Sequence, residues 1–448
     1  MIFEEFKKIV IDEAKNQNIS DYELYYSTSE STSVSAFKHE INQFESSLDG
    51  GVCFRCIVNG KMGYASTEEL SEEAAKSVVS RALDNALALE SEETEFLGEG
   101  GNSYKEVSKP EYDLPSTDLL VKTALAGQDA LYSADPAVID GSETQAVSES
   151  STVAIVNSKG LDIRYENKAS VLVLSAVVSD GDEMSDSYEI KAGELSALDI
   201  PEIAGKAVSD AKSKLKADVA PTGSYPVIFA PPAMSALLGT YASVFSSEAA
   251  AKGLSKLAGK EGKLIASEEV TLVDDPFYKD SIMPASFDDE GSPTYTKNVI
   301  ENGVLNTLLY NLKTAHAAGR ETTGNAAKSS YDSKVGIRPF TMYLAPGDLT
   351  EEELIKKAGN GVYIDSLGGL HAGANVISGD FSLQSEGFMI ENGVKTKAVK
   401  SFTVAGNFYE LLKQITDVSN EVKLRGIGGK TAFASPAVLC SGLSIAGK

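Results

Sequence analysis

The sequence predicts an α+β protein, with helices on antiparallel sheet in its first half and a β-rich barrel or sandwich carrying helices in its second. Three observations lead there. The order helix, strands, helix occurs twice over residues 1–215. Short apolar alternations are separated by Asn-Gly pairs, the strongest short hairpin signal. At Pro221 the charged end of a helix, DAKSKLKAD, gives way to PTGSYPVIFAPP and a glycine-rich remainder. The chain therefore divides into a domain over 1–220 and another over 221–448.

Residues 2–15 read as an amphipathic helix, with Phe3, Phe6, Ile9, Val10 and Ala14 on one side. Strands follow at 22–28, 31–38, 41–47, 51–58 and 62–66, with turns at Asp49-Gly50-Gly51 and Asn59-Gly60. A helix over 69–89 has Ser66 and Thr67 as candidate caps. Residues 90–115 are acidic and Gly/Ser-rich, which reads as a connection. The pattern then repeats: a helix at 116–132, strands at 137–149, 151–157, 161–179 and 183–191, and a helix at 199–215. That order suggests a duplicated α+β unit, although no residue-level repeat accompanies it.

In the second half, Leu237, Leu238, Tyr241, Val244, Phe245, Leu254 and Leu257 keep helical spacing behind Pro231 and Pro232. Gly259 and Gly262 end that pattern, and 270–273 reads as a short strand running into Asp274, Asp275 and Pro276. Asn302-Gly303 and Asn392-Gly393 mark later hairpins.

The formal net charge of −25 opposes contact with nucleic-acid phosphates, and no cluster of lysine, arginine and aromatic residues relieves it. No apolar run reaches the roughly 18 residues of a membrane span. The N-terminus alternates charge and lacks a signal-peptide core, which points to the cytoplasm. Cys53 and Cys56 form a lone C-x-x-C in a strand, where residues three apart face opposite sides and cannot share a metal. They and Cys440 read as small packed side chains.

Chemistry concentrates at SSEAAAKGLSKLAGKEGKLIASEEVTLVDDP, from Ser246. This segment resembles the core of the TldD/PmbA family, whose peptidase members carry H-E-x-x-x-H there. Two imidazoles and a carboxylate on one helical face suit a zinc peptidase. In this sequence the histidine positions fall on Ser247 and Lys252, and only Glu248 keeps its identity. A hydroxyl is a poor zinc ligand, and an ammonium brings positive charge to the metal's place. The stretches from Asp274, Val362 and Val404 and the segment GVCFRCIVNGKMGYAST are similar to the family as well, so the resemblance covers most of the chain.

The resemblance implies the PmbA (TldE) branch: a chain with no cofactor of its own, paired with a zinc-bearing TldD-like subunit or with itself, and acting on small or unfolded peptides. The family's zinc site also uses a C-terminal cysteine, and the matching stretch 424–430 has none. Other readings are a self-sufficient homodimeric metallopeptidase with unconventional ligands, and a regulator linked to DNA gyrase. A site rebuilt from His316, His371, Glu248 and Asp288 or Asp289 has no supporting spacing, and His39 stands apart. A Ser247–Lys252 dyad would diverge by about 140° around a helix. Phe287-Asp288-Asp289-Glu290-Gly291 could bind a cation, but a solvated turn is the ordinary reading. The apolar run 170–178 is either a core strand or a dimer surface.

Overall fold

The computed structural model describes residues 1–448 except 91–93, 108, 109, 282, 429 and 430, and the backbone alone of 425–428. The first half contains two units with the same element order. Helix α1 (Phe3–Asn16), strands β1 (Asp21–Phe37), β2 (Glu40–Val58) and β3 (Lys61–Thr67), and helix α2 (Glu72–Ala88) form one. Helix α3 (Thr117–Ala134), strands β4 (Glu143–Asn157), β5 (Asp162–Ser179) and β6 (Met184–Ala192), and helix α4 (Ile200–Ser213) form the other. All six strands join one antiparallel sheet in the order β3-β2-β1-β4-β5-β6. The order is mirrored about its centre, where β1 meets β4 from Glu23↔Asn157 to Phe37↔Glu143.

Strand alternation decides what each face holds. Leu24, Val52, Phe54 and Cys56 pack under α1 and α2. Val34, Ala36, Leu172 and Leu174 pack under α3 and α4. The opposite face divides in two. Tyr25, Cys53, Val153 and Ile155 pack on Phe287 of the second half, whereas Val171, Val173 and Val177 remain half-exposed. The run 170–178 is a strand with two different faces: Leu172, Leu174 and Val178 are core, and Val171, Val173 and Val177 are half-exposed on the other.

In the second half the strands Gly223–Phe229, Gly361–Gly368, Asp380–Glu391, Val394–Asn407 and Val438–Ala446 close on themselves. The result is a barrel of five strands. A smaller mixed sheet brings Leu272–Asp274 beside Lys297–Glu301 and Thr341–Leu344, with the last running parallel to Thr431–Ser435. Helix α5 (Pro231–Tyr241) lies between these layers and is buried along Ala233, Met234, Leu237, Leu238 and Tyr241. Tyr241 stacks on Phe408 at 4.5 Å and donates its hydroxyl to the Asp380 carbonyl.

Three expectations change. Several short strands are continuous: Asp49-Gly50-Gly51 is no turn, because β2 keeps its register with β1 through Gly50↔Thr28 and Gly51↔Ser27. Gly51 is needed for close approach instead, since a Cβ there would lie 2.6 Å from the Thr67 carbonyl oxygen and 2.8 Å from the Tyr331 ring. The cap of α2 is Ser71, which accepts from the Ala74 amide, while Ser66 and Thr67 stay in β3. The long helix from Met234 breaks at Ser246, whose backbone is extended (φ −76°, ψ 128°), and a separate helix α6 covers Ser247–Ala251. The Asn-Gly turns stand as read, with positive φ at Asn59, Gly60, Asn302, Gly303, Asn392 and Gly393.

Strand β3 lies so close to α2 that a Cβ on Gly63 would come within 2.0 Å of the Ala82 carbonyl oxygen and 2.4 Å of the Ala86 amide nitrogen. Gly63→Ala should therefore cost about 1–3 kcal/mol, read as a lower urea midpoint at unchanged slope. A midpoint equal to the parent's would mean that α2 can slide off β3 without loss.

Candidate functional site

The segment that resembles a zinc motif begins a helix rather than continuing one. The Ser247 amide donates to the Leu309 carbonyl at 3.0 Å, pulling the chain out of the preceding helix. The Ser246 hydroxyl then accepts from the Ala249 amide as the cap of α6. Ser247 is buried, and its hydroxyl donates to Thr314 Oγ1 at 2.8 Å. Lys252 closes α6 and places Nζ 2.6 Å from Glu248 Oε1.

This donor set does not suit zinc. The ammonium that replaces one imidazole neutralises the one carboxylate left, and the hydroxyl that replaces the other is committed to Thr314. Among the described residues no group of three or more His, Cys, Asp or Glu is placed to hold a metal ion. The structure does not bring the three histidines together. His39 pairs with Asp129 at 3.0 Å, His316 stacks on Phe96, and His371 lies exposed in the single turn Leu370–Gly373. Leu424 lines a cleft with Lys423, and the side chains of 425–430 lie outside the described residues.

Ser247 connects instead to a second feature. Thr314 belongs to the short helix Leu312–Ala317, capped by Asn311. At the start of that helix the Leu312 amide donates to Glu290 Oε2 at 2.8 Å. Glu290 ends the acidic triplet 288–290, and here the expectation of a solvated turn is corrected. Asp288, Asp289 and Glu290 are 3%, 4% and 2% exposed. The turn is covered because it is the plug that meets the outer face of the N-terminal sheet.

Burial on this scale requires partners, and they come from both halves. Asp288 accepts from the amides of Glu290, Ser292 and Ala326, each at 2.9 Å. Asp289 accepts from the Tyr25 hydroxyl at 2.8 Å and the Lys328 amide at 2.7 Å. From β2, Arg55 donates through Nε to Glu23 Oε1 at 2.8 Å, and both side chains are at most 2% exposed. Burial opposes the Arg55 charge, but Glu23 and, further off, Glu290 hold it protonated. Asn157 donates to Glu23 Oε2 and to the Gly98 carbonyl. Lys328 is 3% exposed, with Nζ 4.5 Å from the centre of the Tyr25 ring, and burial lowers its pKa. Sequence reading missed Glu23 and Arg55, because single charges in alternating strands look like surface residues, and Lys328, because a lone lysine in a loop looks solvated. The signal available was the density of acids at 287–291 beside the aromatic Phe287.

Three profiles of one family match the chain: PmbA/TldA metallopeptidase domain 1 over residues 22–86, the central domain over 110–215 and the C-terminal domain over 222–447. The chain belongs to the PmbA/TldD family. A protein of Methanothermobacter thermautotrophicus named metalloprotease is 30% identical over 428 residues, covering 91% of this chain and 90% of its own length. A Thermotoga maritima structure described as a candidate modulator of a DNA gyrase superposes with a TM-score of 0.91 at 30% identity, covering 99% of this chain and all of that one. The structure of TldE from Thermococcus kodakarensis gives 0.88 at 27% identity, covering 98% of this chain and 99% of its own. The segment with Ser247, Glu248 and Lys252 thus lies in the part matched by the family's C-terminal domain. Among the described residues no helix is long and apolar enough to cross a membrane.

The acidic turn makes the junction between the two halves sensitive to pH. Burial raises Asp288 from 3.8 to about 7 against its three amide donors, with the neighbouring Asp289 charge adding to the rise. Burial raises Glu290 from 4.5 to about 8, opposed by Arg55 and the Leu312 amide and assisted by Asp288 and Glu23. A carboxyl raised on folding contributes stability that is complete below its unfolded value and is lost as pH rises through its folded value. The melting temperature should therefore fall as pH rises from about 4 and level off above about 8. Glu290→Gln, whose amide oxygen can still accept from Leu312, should flatten that fall. Equal slopes for parent and variant would show that Glu290 does not titrate there.

Proposed function

We propose that this chain is a TldE-type, non-catalytic subunit that assembles with a zinc-bearing TldD-like chain and helps to present peptides to it, in the cytoplasm. One observation carries the reading: the positions of the missing ligands are occupied by groups already satisfied, Ser247 by Thr314 and Lys252 by Glu248. The family membership supports a role in peptide hydrolysis, and this chain's own residues supply no metal ligand set for it. The uncovered part of the N-terminal sheet supports assembly, since Val171, Val173 and Val177 stand beside Ile190 and Tyr188 on one face. Neither homodimeric catalysis nor contact with gyrase is favoured by any particular contact.

The first test is composition. After mild chelation the purified chain should hold far less than one zinc per chain, and about one per chain by elemental analysis would reject the proposal, because Glu248 alone cannot retain it. Ser247→His combined with Lys252→His should not yield chelator-sensitive peptide cleavage by this chain, since the groups that would orient those imidazoles are absent. Robust cleavage by the double variant would show that the rest of a site had been kept.

Assembly gives the second test. Light scattering of the chain, alone and mixed with a TldD-like partner, should show a dimer that persists as salt is raised. An apolar interface survives when the Debye length shrinks below about 8 Å, whereas surface ion pairs loosen. A monomer in every mixture and at every salt concentration would overturn the subunit reading.

A further inference from the structure

Strand β2 pairs with β1 along its whole length, from Asp21↔Ile57 to Phe37↔Glu40. On its other side β3 reaches only from Val52 to Val58. Residues 40–50 therefore end the sheet with a free edge, and among the described residues no strand pairs with it. Proteins usually blunt such edges with proline, charged side chains (lysine above all), short length or bulges. This stretch has neither proline nor lysine, and a single register shift near its start. It also displays Ile41, Phe44 and Leu48 at 36%, 52% and 76% exposure.

At its inner end the edge runs into a cleft of about 770 Å³, walled by Leu48, Asp49, Glu68 and Leu70 on one side and by Lys328 and Tyr331 on the other. We propose that the free edge of β2 binds an extended, lysine- or arginine-bearing peptide as an added strand that leads into this cleft. The proposal rests on the peptide-handling reading above and names the kind of peptide and where it lies.

The backbone supplies the affinity. Every second residue of an edge strand turns its amide and carbonyl outward, and an extended chain of any sequence can satisfy them. Charge supplies the preference. Glu40, Glu45 and Asp49 lie along the edge with no ion-pair partner among the described residues, and Glu68 at the rim is met by the neutral Tyr331 hydroxyl. The Lys328 ammonium, buried against Tyr25, is answered by the Glu23 and Asp289 charges of the junction. A second copy of this chain fits poorly. Pairing the edge with itself about a twofold axis near its middle would set Glu45 against its own copy, and like charges directly opposite are destabilising.

The experiment uses the full chain alone and follows the anisotropy of a labelled, alternating Lys-Val peptide. Binding should weaken by about tenfold or more when lysine is replaced by glutamate, and likewise when alternate amides of the peptide are N-methylated in the register that faces the edge. Glu45→Lys with Asp49→Lys should reverse the preference between the two charged peptides. The methylated peptides need no variant, so the test stands even if the double variant fails to fold. Absence of lysine-peptide binding, or binding indifferent to methylation in either register, would overturn the proposal. So would a dimer of the chain alone that Phe44→Asp with Leu48→Asp abolishes, since a second copy would then occupy the edge. Mixing with a TldD-like partner separates the two readings: loss of assembly rejects the subunit role, whereas intact assembly without peptide binding rejects only the edge.

Discussion

The two halves of this protein are joined by a buried acidic turn. Three consecutive carboxyl groups, Asp288, Asp289 and Glu290, are carried out of water, and an uncompensated charge in that position would be prohibitive. Compensation arrives from both sides of the junction: backbone amides of the second half reach Asp288, Tyr25 of β1 reaches Asp289, and Arg55 of β2, bound to Glu23, acts on Glu290 through its charge alone. Removing one member of a buried pair of this kind typically costs about 3–5 kcal/mol, because the group left behind has nothing to answer it. The junction therefore specifies one arrangement of the halves more sharply than apolar packing would. An apolar face tolerates sliding; a hydrogen-bonded carboxylate does not.

The altered motif is tied into that junction. Ser247 bonds to Thr314, and Thr314 lies in the helix whose first amide binds Glu290, a carboxyl that feels the Arg55 charge of the sheet. At the two histidine positions stand Ser247 and Lys252, each with a partner of its own. The lysine keeps Glu248 from standing unpaired, and the serine keeps a buried position polar but satisfied. Such side chains hold the local structure together without offering imidazole ligands.

Much of this was legible in the chain. The twice-repeated order of helices and strands follows from hydrophobic period and Asn-Gly turns, both local signals, and the opposite facing of Cys53 and Cys56 follows from strand geometry alone. That Ser247 and Lys252 stand at the motif's two histidine positions was legible because residue identity alone carries it. What stayed hidden depends on tertiary contact. Glycines at 50 and 51 resemble a turn until a partner strand holds them extended. The helix from Met234 looks continuous until the Leu309 carbonyl claims the Ser247 amide. The acidic turn looks solvated because nothing in its own sequence announces Tyr25, distant by 264 positions. A buried charge is recognised by its partners, and those are assigned by the fold.

The outer face of the N-terminal sheet has parts of different character. Near Tyr25 it is closed by the second half. Beyond that contact β1 presents Ser27, Ser29, Ser31 and Ser33 toward the same side, small hydroxyl side chains with no apolar reach. On one flank of this polar strip, across β4, stand the valines of β5; on the other runs the acidic edge of β2. The strip separates an apolar surface from a charged one within a single sheet. The apolar flank has the character of a protein interface, whose core is depleted in charge. The acidic flank offers backbone hydrogen bonds and carboxylates, which suit an extended cationic chain and repel a copy of itself. A partner seated on the valines would leave the β2 edge open, so that assembly and peptide capture need not compete for the same residues.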